Sequence, residues 1–86
     1  MTVPVWEFEN AVWELEDIRL VVRANRFVEV EAYDFERAYP GNRTLGSFID
    51  TRIWPLLGDR DFAVIGGRGL LPRGLTHVSR IRQSYG

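Results

Sequence analysis

The sequence predicts one small α+β domain with the plan of a roll, in which a helix lies on one face of a short sheet. Three observations predict it. Two stretches, 13–23 and 27–35, alternate apolar and polar residues at the period of a half-buried strand. The stretch from Thr44 to Trp54 repeats its apolar residues at helical spacing. A short apolar run, Phe62-Ala63-Val64-Ile65, is closed by Gly66-Gly67 and reads as a central strand, with a neighbour expected on each side. A chain of 86 residues makes a single domain, and one this short buries about 60% of its unfolded surface. With 45% apolar and 13% aromatic residues, a core can form without staples.

Taken in order, residues 3–13 fit two descriptions. They can add an edge strand, or Val5, Phe8, Val12 and Leu15 can share one face of a helix. The next segment sets Trp13 and Leu15 against Glu14 and Glu16, then continues through Ile18, Leu20 and Val22, so a strand is expected. Ala24-Asn25-Arg26 follows, where Asn tolerates the positive φ of a tight turn. Beyond it Val28, Val30 and Ala32 share one face, and Glu29, Glu31 and Tyr33 the other, which completes an expected β-hairpin.

Tyr39-Pro40-Gly41-Asn42 reads as a turn. Thr44 offers a capping hydroxyl, and Leu45, Phe48, Ile49 and Ile53 mark the buried helical face, with Asp50 and Arg52 outside. Pro55 disfavours helical geometry at Trp54, so the regular helix should end there, with Leu56-Leu57-Gly58 as a last loose turn. After the strand 62–65 comes a glycine-bearing loop, and Thr76 to Ile81 alternates weakly as a closing strand. The expected order is β-β-α-β-β, with the N-terminal arm open between strand and helix.

That order resembles the β-grasp fold of ubiquitin-like proteins. The stretch from Phe62 through Gly66-Gly67-Arg68-Gly69-Leu70-Leu71-Pro72 to Thr76 is similar to the ubiquitin segment in which an apolar strand meets a glycine turn and a Gly-bearing loop. The end, Arg80-Ile81-Arg82-Gln83-Ser84-Tyr85-Gly86, resembles a final strand running into an Arg-x-Arg tail closed by glycine. The likeness covers residues 13–86 in pattern. It departs at Tyr85, which stands where such modifiers and sulfur carriers usually carry a second glycine. The resemblance implies a ubiquitin-like domain over 1–86 with 82–86 as a flexible tail. Its function would be that of a small non-enzymatic protein modifier, bacterial in style, recognised by partner enzymes and conjugated through Gly86. Its partners would be an adenylating enzyme and a processing peptidase, with Arg80, Arg82 and Tyr85 contacting them.

Glycine suits that chemistry because a residue without Cβ lets another backbone approach its carboxylate closely. All eleven basic residues are Arg. A chain without Lys offers no side-chain amine to acylate, and a GC-rich genome gives the same composition. Two other roles stand beside the modifier. One is a non-covalent interaction module that docks through its charged faces or a sheet edge; the other is a sulfur carrier with a thiocarboxylate at Gly86. The first of these draws on charge. Residues 1–42 hold nine acids against four Arg, and residues 43–86 three acids against seven Arg, within a net charge of −1. Such asymmetry suits docking onto a charged protein partner or self-association. Glu14, Glu16, Glu29, Glu31 and Asp34 would line an acidic docking face of the hairpin. Of the three Trp, Trp13 and Trp54 are expected in the core and Trp6 is the candidate partner anchor.

Other chemistries find no support. Gly66-Gly67-Arg68-Gly69 lacks the Gly-Lys-Ser/Thr ending of a phosphate loop. His77 is the only His and there is no Cys, so no metal centre or other cofactor is expected, and His77 reads as a partly exposed strand residue. No acid, base and nucleophile assemble into an enzyme. A dense basic run for nucleic acid is missing, as is any run near the roughly 18 apolar residues of a membrane span. The absence of Cys fits a reducing compartment, and a cytoplasmic location is expected.

Overall fold

A computed structural model describes residues 1–69 and 71–85. The fold is mixed α+β, with two separate two-stranded antiparallel sheets and short helices. The N-terminal arm is a short strand, β1 (Thr2–Pro4), followed by a helix, α1 (Val5–Glu16). Val5, Phe8, Val12 and Glu16 form the buried stripe of α1, the i, i+3, i+7 spacing of an amphipathic helix. Pro4 at the N-cap brings no side-chain cap. The free donors of the first turn are met instead by the chain downstream: Val5 N–H bonds Val28 C=O at 2.9 Å and Trp6 N–H bonds Arg26 C=O at 3.2 Å.

Those two bonds explain why the expected hairpin does not form. Residues 26–28 are held by α1, so β2 (Arg19–Val22) and β3 (Glu29–Glu31) are drawn apart. Asn25 still makes its turn, accepting from Phe27 N–H at 2.9 Å, but the turn joins two sheets. β3 pairs with β1, with Val3 opposite Val30, and β2 pairs with β4 (Phe62–Ile65), with Leu20 opposite Val64. The expected strand from Trp13 is also shorter. Helix α1 runs through Glu16 and ends on Asp17, the only non-glycine residue described with positive φ, at 56°.

Thr44 caps the next helix as expected, accepting from Ser47 N–H at 3.2 Å. The helix does not stop at Trp54. Helix α2 (Leu45–Phe48) passes through a π-helical stretch, Ile49–Ile53, into α3 (Trp54–Leu57). Trp54 N–H reaches back to Ile49 C=O. The wider turn accommodates Pro55, which has no N–H to continue an α-helical ladder. Gly58 closes α3 at a φ of 61°.

The segment expected as a closing strand, 76–81, is helical from Val78. Among the described residues Thr44 and His77 form the one isolated bridge, with His77 exposed, and α4 (Val78–Ser84) follows. This bridge centres a reciprocal arrangement. Leu45 N–H bonds Thr76 C=O and Gly46 N–H bonds Gly74 C=O; Val78 N–H bonds Arg43 C=O and Ser79 N–H bonds Gly41 C=O. The first turns of α2 and α4 thus satisfy their free donors on the carbonyls that lead into each other. Residues 82–84, expected in a flexible tail, are the last turn of α4, and Gly86 lies outside the described residues.

The aromatic core also differs from expectation. Phe8, Phe48, Tyr33 and Tyr39 are buried, whereas Trp13 and Trp54 are 36% and 58% exposed. Trp13 falls on the outer side of α1 once that segment is helical, and Trp54 faces out beside Pro55.

One glycine fixes the seating of α4. A Cβ at Gly67 would lie 1.8 Å from the Ser84 carbonyl oxygen, a backbone atom. Gly67→Ala is therefore expected to lower stability by about 1–3 kcal/mol and to unseat the end of α4. Denaturant unfolding together with loss of the near-ultraviolet Tyr signal would register it; unchanged stability would contradict the close approach.

Candidate functional site

Two clusters organise the chain, one buried and one at the surface. Glu16 ends the apolar stripe of α1 and is 0% exposed. Its Oε2 accepts from Tyr33 Oη at 2.5 Å and from the Arg52 guanidinium at 2.5 Å. Its Oε1 accepts from Tyr39 N–H at 2.7 Å and from Arg82 at 2.8 Å. These four bonds match the acceptor capacity of an ionised carboxylate. Arg52 also donates to Arg37 C=O and lies over the Phe35 ring, 4.4 Å from its centroid. Arg82 donates further to the carbonyls of Glu16 and Tyr39. The carboxylate is saturated and sealed from solvent, so it joins elements and has no acceptor left for a ligand.

Burial raises the Tyr33 phenol well above its ordinary value, and the bond to Glu16 adds to that rise. The Tyr39 phenol, bonded to Ser47 at 2.5 Å, is lowered by that contact.

Several expected positions move. Glu16 leaves the proposed solvated acidic face for the interior, and Arg52 leaves the outer helix face to meet it. Arg82 contacts Glu16 in place of facing a partner enzyme. Arg80 is exposed on α4; Glu14, Glu29, Glu31 and Asp34 are exposed, but on α1, β3 and the loop after it, so the expected acidic face of one hairpin does not form. The signal for Glu16 was present in the sequence as one carboxylate on the apolar stripe of a helix, four residues after Val12.

By holding Arg82, Glu16 seats the last turn of α4, and this builds the surface cluster. Tyr85 Oη accepts from Arg19 N–H at 2.9 Å and donates to Ile65 C=O at 2.5 Å, bridging β2 and β4 at their ends. Its half-buried phenol is raised, first by desolvation. The Tyr85 ring meets Trp13 edge-on at 5.3 Å, and the Arg19 guanidinium lies 5.2 Å from the Trp13 ring centroid. Trp6 stands seven residues before Trp13 on the same side of α1 and is 41% exposed.

Between the two indoles and β2 lies a groove of about 410 Å³, lined by Trp6, Glu9, Asn10, Trp13, Arg19 and the Leu20-Val21 segment. Glu9 accepts from Val22 N–H at 2.8 Å, and Val22 C=O accepts from Ala24 N–H at 2.9 Å. The outer edge of β2 is thus occupied at Val22, which blunts strand addition there. Specificity in this groove therefore falls to side chains. Among the described residues, no three His, Asp or Glu side chains gather as metal ligands, and no helix is long and apolar enough to cross a membrane.

Glu16→Gln is expected to destabilise the fold by about 3 kcal/mol, because it leaves two partly buried guanidinium groups without their carboxylate. Against the roughly 0.05–0.15 kcal/mol per residue of ordinary domains, that loss is a large share of the total stability, as urea titration would detect. Tyr33 gives a pH signature. Its folded pKa lies above the unfolded value of 10.0, so its contribution is complete below that pH and is lost as pH rises beyond it. Stability should fall above pH 10 and fall less steeply in Tyr33→Phe; parallel curves for the two proteins would contradict this. A comparison with protein-family models, curated proteins and solved structures returned no match for this chain.

Proposed function

We propose that the chain is a non-enzymatic protein-interaction module that docks a partner non-covalently in the groove between α1 and β2. The observation that carries this reading is the pair Trp6 and Trp13, both partly exposed and aligned along one groove. Solvent-facing indoles lose hydrophobic stabilisation unless another surface covers them, and Trp is the residue type most enriched at binding hot spots. The groove is also held in shape. Trp13 is wedged by Tyr85 and Arg19, so little ordering is needed when a partner arrives.

The ubiquitin-like reading, a β-grasp domain conjugated through Gly86 or loaded there with sulfur, rests on the sequence resemblance. The described strand pairing, β1 with β3 and β2 with β4, adds no support. Of the residues it assigns to an activating enzyme, Arg82 is committed to Glu16 and Tyr85 to the β2 and β4 ends. Its test is a mass adduct at Gly86 after incubation with ATP and an adenylating enzyme.

For the docking module, random peptides displayed on phage and panned on the native protein should yield binders. These are expected to lose binding to Trp6→Ala, and to Trp13→Ala, while keeping it to Trp54→Ala. Trp6→Ala should change stability by no more than about 0.5 kcal/mol, as an exposed position does. Binders indifferent to both Trp6 and Trp13 would refute the assignment of the groove.

A further inference from the structure

We propose, resting on the reading of this groove as a docking surface, that its occupant is a basic segment of a partner protein, anchored by an arginine stacked on Trp6. The molecule already contains half of the arrangement. Trp13 carries the guanidinium of Arg19 at 5.2 Å, the geometry in which a cation is attracted to the face of an indole. Trp6, on the same side of α1, has no guanidinium over it among the described residues. One indole has its cation and the other is open.

The polar groups beside Trp6 favour a cation. Asn10, one helical turn on, donates its Nδ2 to Glu14 Oε1 at 3.2 Å. The amide oxygen of Asn10 and the second oxygen of Glu14 remain as acceptors, without a described partner. Glu7 and Glu14 are exposed on the adjoining strip of α1, and among the described residues neither takes part in an ion pair. Glu9 is already bonded to Val22 N–H, and Arg19, the one cation among the described residues lining the groove, is stacked on Trp13. The wider field has the same sign, since residues 1–42 keep eight acids against four Arg once the buried, paired Glu16 is set aside. An arginine side chain satisfies every part of this surface. Its plane stacks on the indole, and its fork reaches carboxylate and amide oxygens that a lysine ammonium meets only one at a time. A phosphate-bearing or acidic ligand would enter against the field.

The test follows the three indole N–H signals by NMR as the full chain is titrated with a ten-residue peptide of alternating Arg and Gly. Matched Lys-Gly, Glu-Gly and Leu-Ser peptides serve as comparisons. The Trp6 signal is expected to move progressively with Arg-Gly, while Trp54, exposed elsewhere, stays in place. Binding should weaken about fivefold in Trp6→Ala, a loss in the range of one cation–π contact. It should also weaken with added salt, and the Glu7→Gln, Glu14→Gln double variant should show a flatter salt dependence. Equal binding of the Lys-Gly peptide overturns the stacked arginine. A Trp6 response to Leu-Ser or Glu-Gly but not to Arg-Gly overturns the basic partner while leaving the groove as a docking surface. Concentration-dependent self-association that moves Trp6 without peptide makes a second copy the occupant and also overturns it. No Trp6 response to any peptide overturns this proposal, and phage binders independent of Trp6 and Trp13 would remove the docking reading as well.

Discussion

Everything else in this fold depends on one buried carboxylate. Glu16 is taken from water completely, and the Coulombic attraction of two guanidinium groups offsets that desolvation only because every acceptor site is also hydrogen-bonded. Its partners come from the 33–39 loop, the π-helical stretch and α4, so one side chain fixes elements from across the sequence. Among the described residues there are few long elements and no large sheet to do this. A convergent ionic centre supplies the register that a longer sheet would otherwise give. It also demands arginine. Arg82 donates to three different oxygens, including a backbone carbonyl from each of two segments, which a single ammonium at that position could not match in the same planar geometry. Part of the Lys-free composition is therefore a structural requirement of this centre, alongside any bias in codon use.

The charge asymmetry between the two halves acquires a structural meaning from the same contacts. Two of the seven arginines in the basic half are turned inward onto an acid of the acidic half. The halves are joined by the charge difference that first suggested an outside partner. What remains outside is an acidic N-terminal region whose helix displays two indoles, and this is the surface on which the functional proposal stands.

Some of this was legible in the sequence because it is local. The Thr44 cap needs only a hydroxyl three residues before its donor, and strand Phe62–Ile65 needs only an apolar run closed by glycines. What was missed depends on choices between near-equal local patterns. Trp13 to Glu16 alternates apolar and acidic residues, and the same four residues also make a helical turn whose inner position is Glu16. Asp17 ends that helix in a left-handed conformation usually given to glycine, so the usual stop signal was absent. The hairpin failed for a non-local reason, since α1 claims the carbonyls of Arg26 and Val28. Weak alternation at 76–81 lost to capping by Gly41 and Arg43, which no window around that segment contains.

The reciprocal bonds between the first turns of α2 and α4 bear on how the molecule opens. Neither helix can let go without leaving the other's donors unsatisfied, so the two should fray together as one cooperative unit. Since Tyr85 follows directly on α4 and props Trp13, that unit includes one wall of the groove. Were the groove to hold a partner as proposed, its affinity would be linked to the integrity of the start of α2, more than thirty residues before Tyr85 in the chain. Occupancy of the groove would be felt there as slower opening, with no change of shape required at either place.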